Sequence, residues 1–139
     1  MSKSEVIKVG IIDTSQLFSL PESHEYEIAK FFAKRGFDII FIRPSSIKGT
    51  HTPDFSMGGK NWEAKTPITY SKSSFEYNFK KATKQSCNII FDLRKLNTKQ
   101  AEFYMKELQK RAKSVKVKNL IIITREGSIL TYKGDFDIM

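Results

Sequence analysis

The chain has 139 residues and a formal net charge of +9, from 24 Lys and Arg against 15 Asp and Glu. That length suits one domain with a core of its own, and eleven Phe with an ordinary share of charge exclude a disordered chain. The positive excess favours a polyanionic partner, nucleic acid ahead of an anionic membrane. The single cysteine, Cys87, excludes an internal disulfide and a cysteine-rich zinc site.

Residues 5–12, EVIKVGII, read as a short strand, and the loop after it ends at Pro21. Residues 22–36 read as a helix with Ser23 as N-cap, acids in the first turn, Lys34 and Arg35 in the last and Gly36 as the stop. FDIIFIRP (37–44) reads as a strand broken by Pro44, and SSIKGTH as a polar loop. TPDFSM and NWEAKTP flank Gly58-Gly59 and read as a hairpin. Residues 71–86 form a second helix, with Phe75, Phe79, Ala82 and Ser86 inward and Lys72, Lys80, Lys81 and Lys84 outward.

NIIFDL (88–93) suits a strand buried on both faces. Cys87 stands at its entry and reads as a small core residue. Residues 97–114 read as a third helix, with Ala101, Tyr104, Met105, Leu108 and Ala112 inward. NLIIIT (119–124) is another buried strand and SILTYKG (128–134) an edge strand. The order β-α-β-β-β-α-β-α-β-β implies an α/β (α+β) fold, a mixed sheet flanked by helices. One domain over 1–139 is expected. No run approaches a membrane span, and the N-terminus lacks the apolar stretch of a signal peptide, so a cytoplasmic chain with no membrane partner is expected.

The hairpin carries the chemistry. Alternation puts Glu63 and Lys65 on one face of their strand and Trp62 and Ala64 on the other. Asp54, on the preceding strand, reaches the same end of the sheet. Two carboxylates at one point repel unless a cation joins them. Mg²⁺ or Mn²⁺ with one or two carboxylates, beside an ammonium, is a set suited to phosphodiester hydrolysis. The alternative is a solvent-facing hairpin with an ion pair of little consequence. On the first helix Glu25 shares the face of Ile28, Ala29 and Phe32, so it is the expected extra carboxylate, while Glu22 and Glu27 sit at the start and on a more exposed side. His51 stands just before Pro53-Asp54, as a loop residue touching substrate or, in a metal-independent RNase, a general base. Lys48, Lys60 and Arg94 are further phosphate-binding candidates, and Tyr70 and Tyr77 are candidates for stacking on unpaired bases.

Pro53-Asp54 followed by Glu63-Ala64-Lys65 resembles the signature of the PD-(D/E)xK nuclease superfamily. The longer pattern LPESHEYEIAKFFAKRGFDIIFI, TPDFSMGGKNWEAKTP and FKKATKQSCNIIFDLR is similar to the C-terminal toxin domain of contact-dependent growth inhibition proteins, in the branch with a restriction-endonuclease-like fold, several of whose members are tRNA nucleases. The likeness runs from about Leu20 to Thr124.

It implies an αβββαβ core, Asp54 and Glu63 as metal ligands with the backbone carbonyl of Ala64 and help from Glu25, Lys65 as catalytic lysine, and Gln85 near the site. Lys72, Lys80, Lys81, Lys84, Gln85 and His51 are the expected nucleic-acid-binding residues. The implied activity is a metal-dependent endonuclease with tRNA favoured over DNA, a cognate immunity protein as partner and, for a domain of a larger toxin, delivery into a target cell. The competing expectation is a non-catalytic nucleic-acid-binding module on a nuclease-like fold; intact Asp54, Glu63 and Lys65 argue against it.

Overall fold

The computed structural model describes residues 8–134. Ten elements follow in chain order: β1 (Ile12–Asp13), α1 (Ser23–Ala33), β2 (Ile39–Phe41), β3 (Phe55–Met57), β4 (Lys60–Lys65), α2 (Lys72–Gln85), β5 (Asn88–Asp92), α3 (Thr98–Arg111), β6 (Asn119–Ile123) and β7 (Ile129–Lys133). The seven strands form one mixed sheet in the order β1-β2-β3-β4-β5-β6-β7. β4, β5 and β6 run parallel, joined by crossovers through α2 and α3, while β2–β3, β3–β4 and β6–β7 are antiparallel. The expected element order and edge position of the last strand are those observed; residues 5–7 of the first expected strand lie outside the described residues, and its ladder on β2 is Ile12–Asp13.

The sheet divides two cores. Ile28, Ala29 and Phe32 of α1 pack on Ile39, Phe41, Phe55, Trp62, Ala64, Ile90 and Ile121. Phe75, Phe79 and Ala82 of α2 and Ala101, Tyr104 and Leu108 of α3 pack on Ile89, Phe91, Leu120 and Ile122. This alternation forces β5 and β6 to be apolar throughout, since both their faces are covered. β4 differs: Trp62 and Ala64 face the α1 layer, so Glu63 and Lys65 face the α2 side. The hairpin register follows from Gly58 and Gly59, whose φ angles of 59° and 79° are those of the two-residue turn that matches strand twist. Trp62 Nε1 locks it by donating to Met57 O at 2.9 Å.

Four local expectations are corrected. The cap position of α1 is Glu22, not Ser23, and it makes no side-chain cap hydrogen bond, whereas Ser71 and Asn97 close full capping boxes on α2 and α3. β3 begins at Phe55, so Asp54 precedes the strand, although its N–H still reaches Trp62 O and its C=O accepts from Ile42 N–H. Cys87 is half-buried, because the chain is entering β5 there and its carbonyl accepts from Lys118 and Asn119. Ser86 and Met105 are likewise only partly buried; Ser86 caps α2 and its hydroxyl donates to Asn61 O. No helix among the described residues is long and apolar enough to cross a membrane.

Candidate active site

β3 and β4 part just beyond the Phe55–Trp62 pair, and the carboxylate of Asp54 occupies the gap. Its Oδ2 accepts the N–H of Ala64 at 2.8 Å, taking over where the ladder ends. This fixes Asp54 beside Glu63. Glu63 is 3% exposed, its Oε2 lies 3.0 Å from Lys65 Nζ, and its buried Oε1 has no hydrogen-bond partner. Asp54 is close enough to both Glu63 and Glu25 of α1 for its charge to act on theirs. Neighbouring carboxylates repel one another unless they share a proton or a cation. The strain shows in their acidities. Burial, followed by the charges of Asp54, Glu22 and Glu63, pushes Glu25 up to about 8. Burial and Asp54 push Glu63 up to about 7 against the pull of Lys65. Burial raises Asp54 as well, opposed first by the Ala64 N–H and then by Lys65.

His24 joins the carboxyls at the start of α1, with Nδ1 3.4 Å from Glu22 and Nε2 3.8 Å from Glu25. Glu22, His24 and Glu25 offer ligand atoms that all lie within 4.8 Å of one another. Glu27 is exposed and pairs with Lys30 at 3.0 Å. The fold therefore gathers Asp54, Glu63, Lys65, Ala64 and Glu25 at one end of the sheet. Asp54 is the group they share, with Glu25 reaching it from α1 and Glu22 at the margin.

The flanking groups sort differently. His51, Tyr77, Lys80, Lys81, Lys84 and Gln85 line one groove of about 350 Å³ along α2. Tyr77 is 65% exposed with Lys81 Nζ 5.7 Å from its ring centre, and Gln85 Oε1 is buried without a hydrogen-bond partner. Lys72 opens α2 two turns away and is outside that groove. Lys48 is exposed on its loop, and Lys60 stands at the hairpin turn, the end of β4 away from Lys65.

Arg94 is already paired: it grips the buried Asp92 with Nε and Nη2 at 2.9 and 2.8 Å and lies over Phe31. Tyr70 is not free for a base, since it stacks on Phe103 with centroids 5.3 Å apart. Sequence reasoning passes over Asp92, whose position in a buried apolar strand is its one signal. It also passes over Phe18 and Arg43, which come together only in three dimensions, the guanidinium 4.1 Å from the ring centre.

A three-layer α/β/α protein with a partly buried carboxyl cluster, a lysine against it and a cationic groove alongside is the class these features define. The chain belongs to the contact-dependent growth inhibition CdiA C-terminal domain family, whose description fits residues 50–129. That span holds Asp54, Glu63, Lys65 and the whole α2 groove. No curated protein matches the chain in sequence. Among solved structures the fold is similar to the CdiA-CT/CdiI toxin and immunity complex from Burkholderia pseudomallei, with a TM-score of 0.61 over 89% of this chain and 99% of that one. At 17% identity the likeness speaks to fold alone.

Proposed function

We propose that the chain is a metal-dependent endonuclease of the PD-(D/E)xK type, a toxin domain that hydrolyses phosphodiester bonds in tRNA. The observation that carries this reading is the convergence of Asp54, Glu63 and Glu25 with Lys65 Nζ 3.0 Å from Glu63. The residues fit a hard divalent cation: Glu63 has a buried oxygen without a donor, and the carboxyls crowd one another in a way a cation relieves. Asp54, Glu63 and the carbonyl of Ala64, with Glu25, would hold Mg²⁺ or Mn²⁺. When bound, the metal supplies Lewis acidity, lowering the pKa of a water and offsetting phosphate charge.

The remaining work falls to the chain. Lys65 is anchored by Glu63 and presents a fixed cation to the charge that develops on the phosphoryl oxygens. Lys80, Lys81 and Lys84 hold flanking phosphates, and Tyr77 offers an exposed ring for a base. Family membership supports tRNA over DNA, since several members with this fold are tRNA nucleases; the site chemistry suits either sugar. The B. pseudomallei relative was solved with an immunity protein. By the same reading this chain has a cognate inhibitor and acts after delivery into a target cell.

Purified protein is incubated with total tRNA and, separately, with plasmid DNA, each with Mg²⁺, Mn²⁺ or EDTA, beside Asp54→Ala. Discrete tRNA fragments that require metal and vanish in the variant are expected. Cutting confined to DNA would overturn the substrate, and EDTA-resistant cutting that survives Asp54→Ala would overturn the site.

A further inference from the structure

A second cleft, of about 460 Å³, opens beside the carboxyl cluster, between the loop before α1, the start of α1 and the loop after β2. Glu25 and Asp54 both line it, so its occupant lies against the reacting groups. Much of its remaining wall is apolar, with Leu17, Phe18, Leu20 and Pro44 among the residues present. Phe18 and Leu20 are each 88% exposed, so neither is held in place by a core. Arg43 is the one cation lining the cleft among the described residues. Its Nε donates to Gln16 O at 2.7 Å, which sets its guanidinium over one face of Phe18.

We propose that this cleft seats one unpaired nucleobase of the substrate, stacked on the Phe18–Arg43 pair, next to the bond that is cut. The inference rests on the nucleolytic reading above. A flat aromatic ring backed by a guanidinium offers a π-face and a positive charge, the pairing that receives a base and its phosphate. The two grooves divide the labour. The α2 groove is lined by three lysines and suits backbone phosphates, whereas this cleft has one cation and an apolar wall and suits a base. They meet at a short segment: His51 lines the first, Thr52, Pro53 and Asp54 line the second. A strand following the lysines past His51 thus brings a phosphate to Asp54 and the neighbouring base to Phe18. The cleft's volume falls within the range of about 300–1,000 Å³ typical of ligand sites. A paired base has both faces covered by its stack, so the seat selects a nucleotide in a loop, bulge or frayed end.

The test uses the full chain carrying Lys65→Ala, in EDTA so that cutting is suppressed, and fluorescein-labelled single strands of RNA and of DNA with their duplexes. Adding Phe18→Ala is expected to weaken single-strand binding by about tenfold, to leave duplex binding unchanged and to leave the melting temperature unchanged. Phe18→Tyr is expected to restore affinity. Abasic substitution at one position is expected to cost the parent about tenfold and to cost Phe18→Ala nothing more. In the active background Phe18→Ala raises KM and spares kcat on the unpaired substrate. Loss on RNA alone identifies the sugar as well as the base.

Unchanged affinity and KM in Phe18→Ala would overturn the base seat. Intact cleavage in that variant separates this failure from failure of the nucleolytic reading, in which wild type and Asp54→Ala are equally inert and both proposals fall.

Discussion

Glu63 is an acid in the middle of a strand, 3% exposed, with a lysine on one oxygen and no donor on the other. Nothing in such a position favours folding, since a buried carboxylate with half its hydrogen bonds unmade costs stability. Its consequence is measurable. The folded protein keeps protons on Glu63 and Glu25 up to about pH 7 and 8, whereas the unfolded chain releases them in the ordinary carboxylate range. Unfolding therefore releases protons in that window, and stability falls as pH rises through it. In EDTA the melting temperature is expected to drop between about pH 5 and about pH 8.5, and Glu63→Gln to flatten the dependence. Adding Mn²⁺ at about pH 8.5 should raise the wild-type melting temperature and leave Asp54→Ala unmoved; a metal-indifferent melt would count against these ligands. Lys65→Ala is expected to lower cleavage by at least about a hundredfold with little change in KM, as for other groups that act on developing charge. Glu25, Asp54, Glu63 and Lys65 are all legible as residues, because acids at strand and inner-helix positions violate the apolar pattern. The partners of Arg94 and Tyr70 are not legible, because a free cation and a free ring look the same in sequence as a paired one.

At the scale of elements, helices and strands follow from periodicity and punctuation. α2 and α3 start at Ser71 and Asn97, both full capping boxes, and replacing either by Ala is expected to cost about 1 kcal/mol in urea unfolding. α1 starts at Glu22 without a side-chain cap, and the Glu22 carboxylate lies 3.4 Å from His24 Nδ1. The local rule fails at the end that carries Glu25, beside the carboxyl cluster. β1 depends on a close approach. A Cβ on Gly10 would sit 2.0 Å from the carbonyl oxygen of Phe37, and the Gly10 N–H donates to Ala33 O at 2.7 Å. Gly10→Ala should therefore push β1 off β2 and cost about 1–3 kcal/mol, read by chemical unfolding, and protease cutting ahead of α1 should rise. β2 and β3 are shorter than their hydrophobic runs suggest. Their ladders stop where the chain turns toward the site, at Phe41 and Phe55, and hydrophobicity alone does not mark that point.

For the molecule as a whole, three of its 24 Lys and Arg share one groove. Lys80, Lys81 and Lys84 stand along one groove that leads to His51. Replacing all three by Gln is expected to weaken tRNA binding and to reduce the slope of log K against log salt by about 2, since each lysine–phosphate pair on a single strand carries roughly 0.7. An unchanged slope would place the nucleic acid elsewhere. Lys72 at the far end of α2 serves as the internal control, with a smaller effect expected from Lys72→Gln.

Element order, the covered faces of β5 and β6, the hairpin at Gly58-Gly59 and the identity of the acids and the lysine all lie in the order of residues. Each depends on chain neighbours within one or two turns or one strand pair. Three things wait for the packed molecule. Asp54 completes the end of a ladder, Arg94 is spent on Asp92, and Phe18 meets Arg43 beside Glu25. The first two join residues ten and two positions apart, and what decides them is where the hairpin ladder and β5 end; the third joins distant residues, and its separation is set by how the loops lie on the sheet. No local preference encodes that placement; the two hydrophobic cores do, by holding α1 on one face and α2 with α3 on the other.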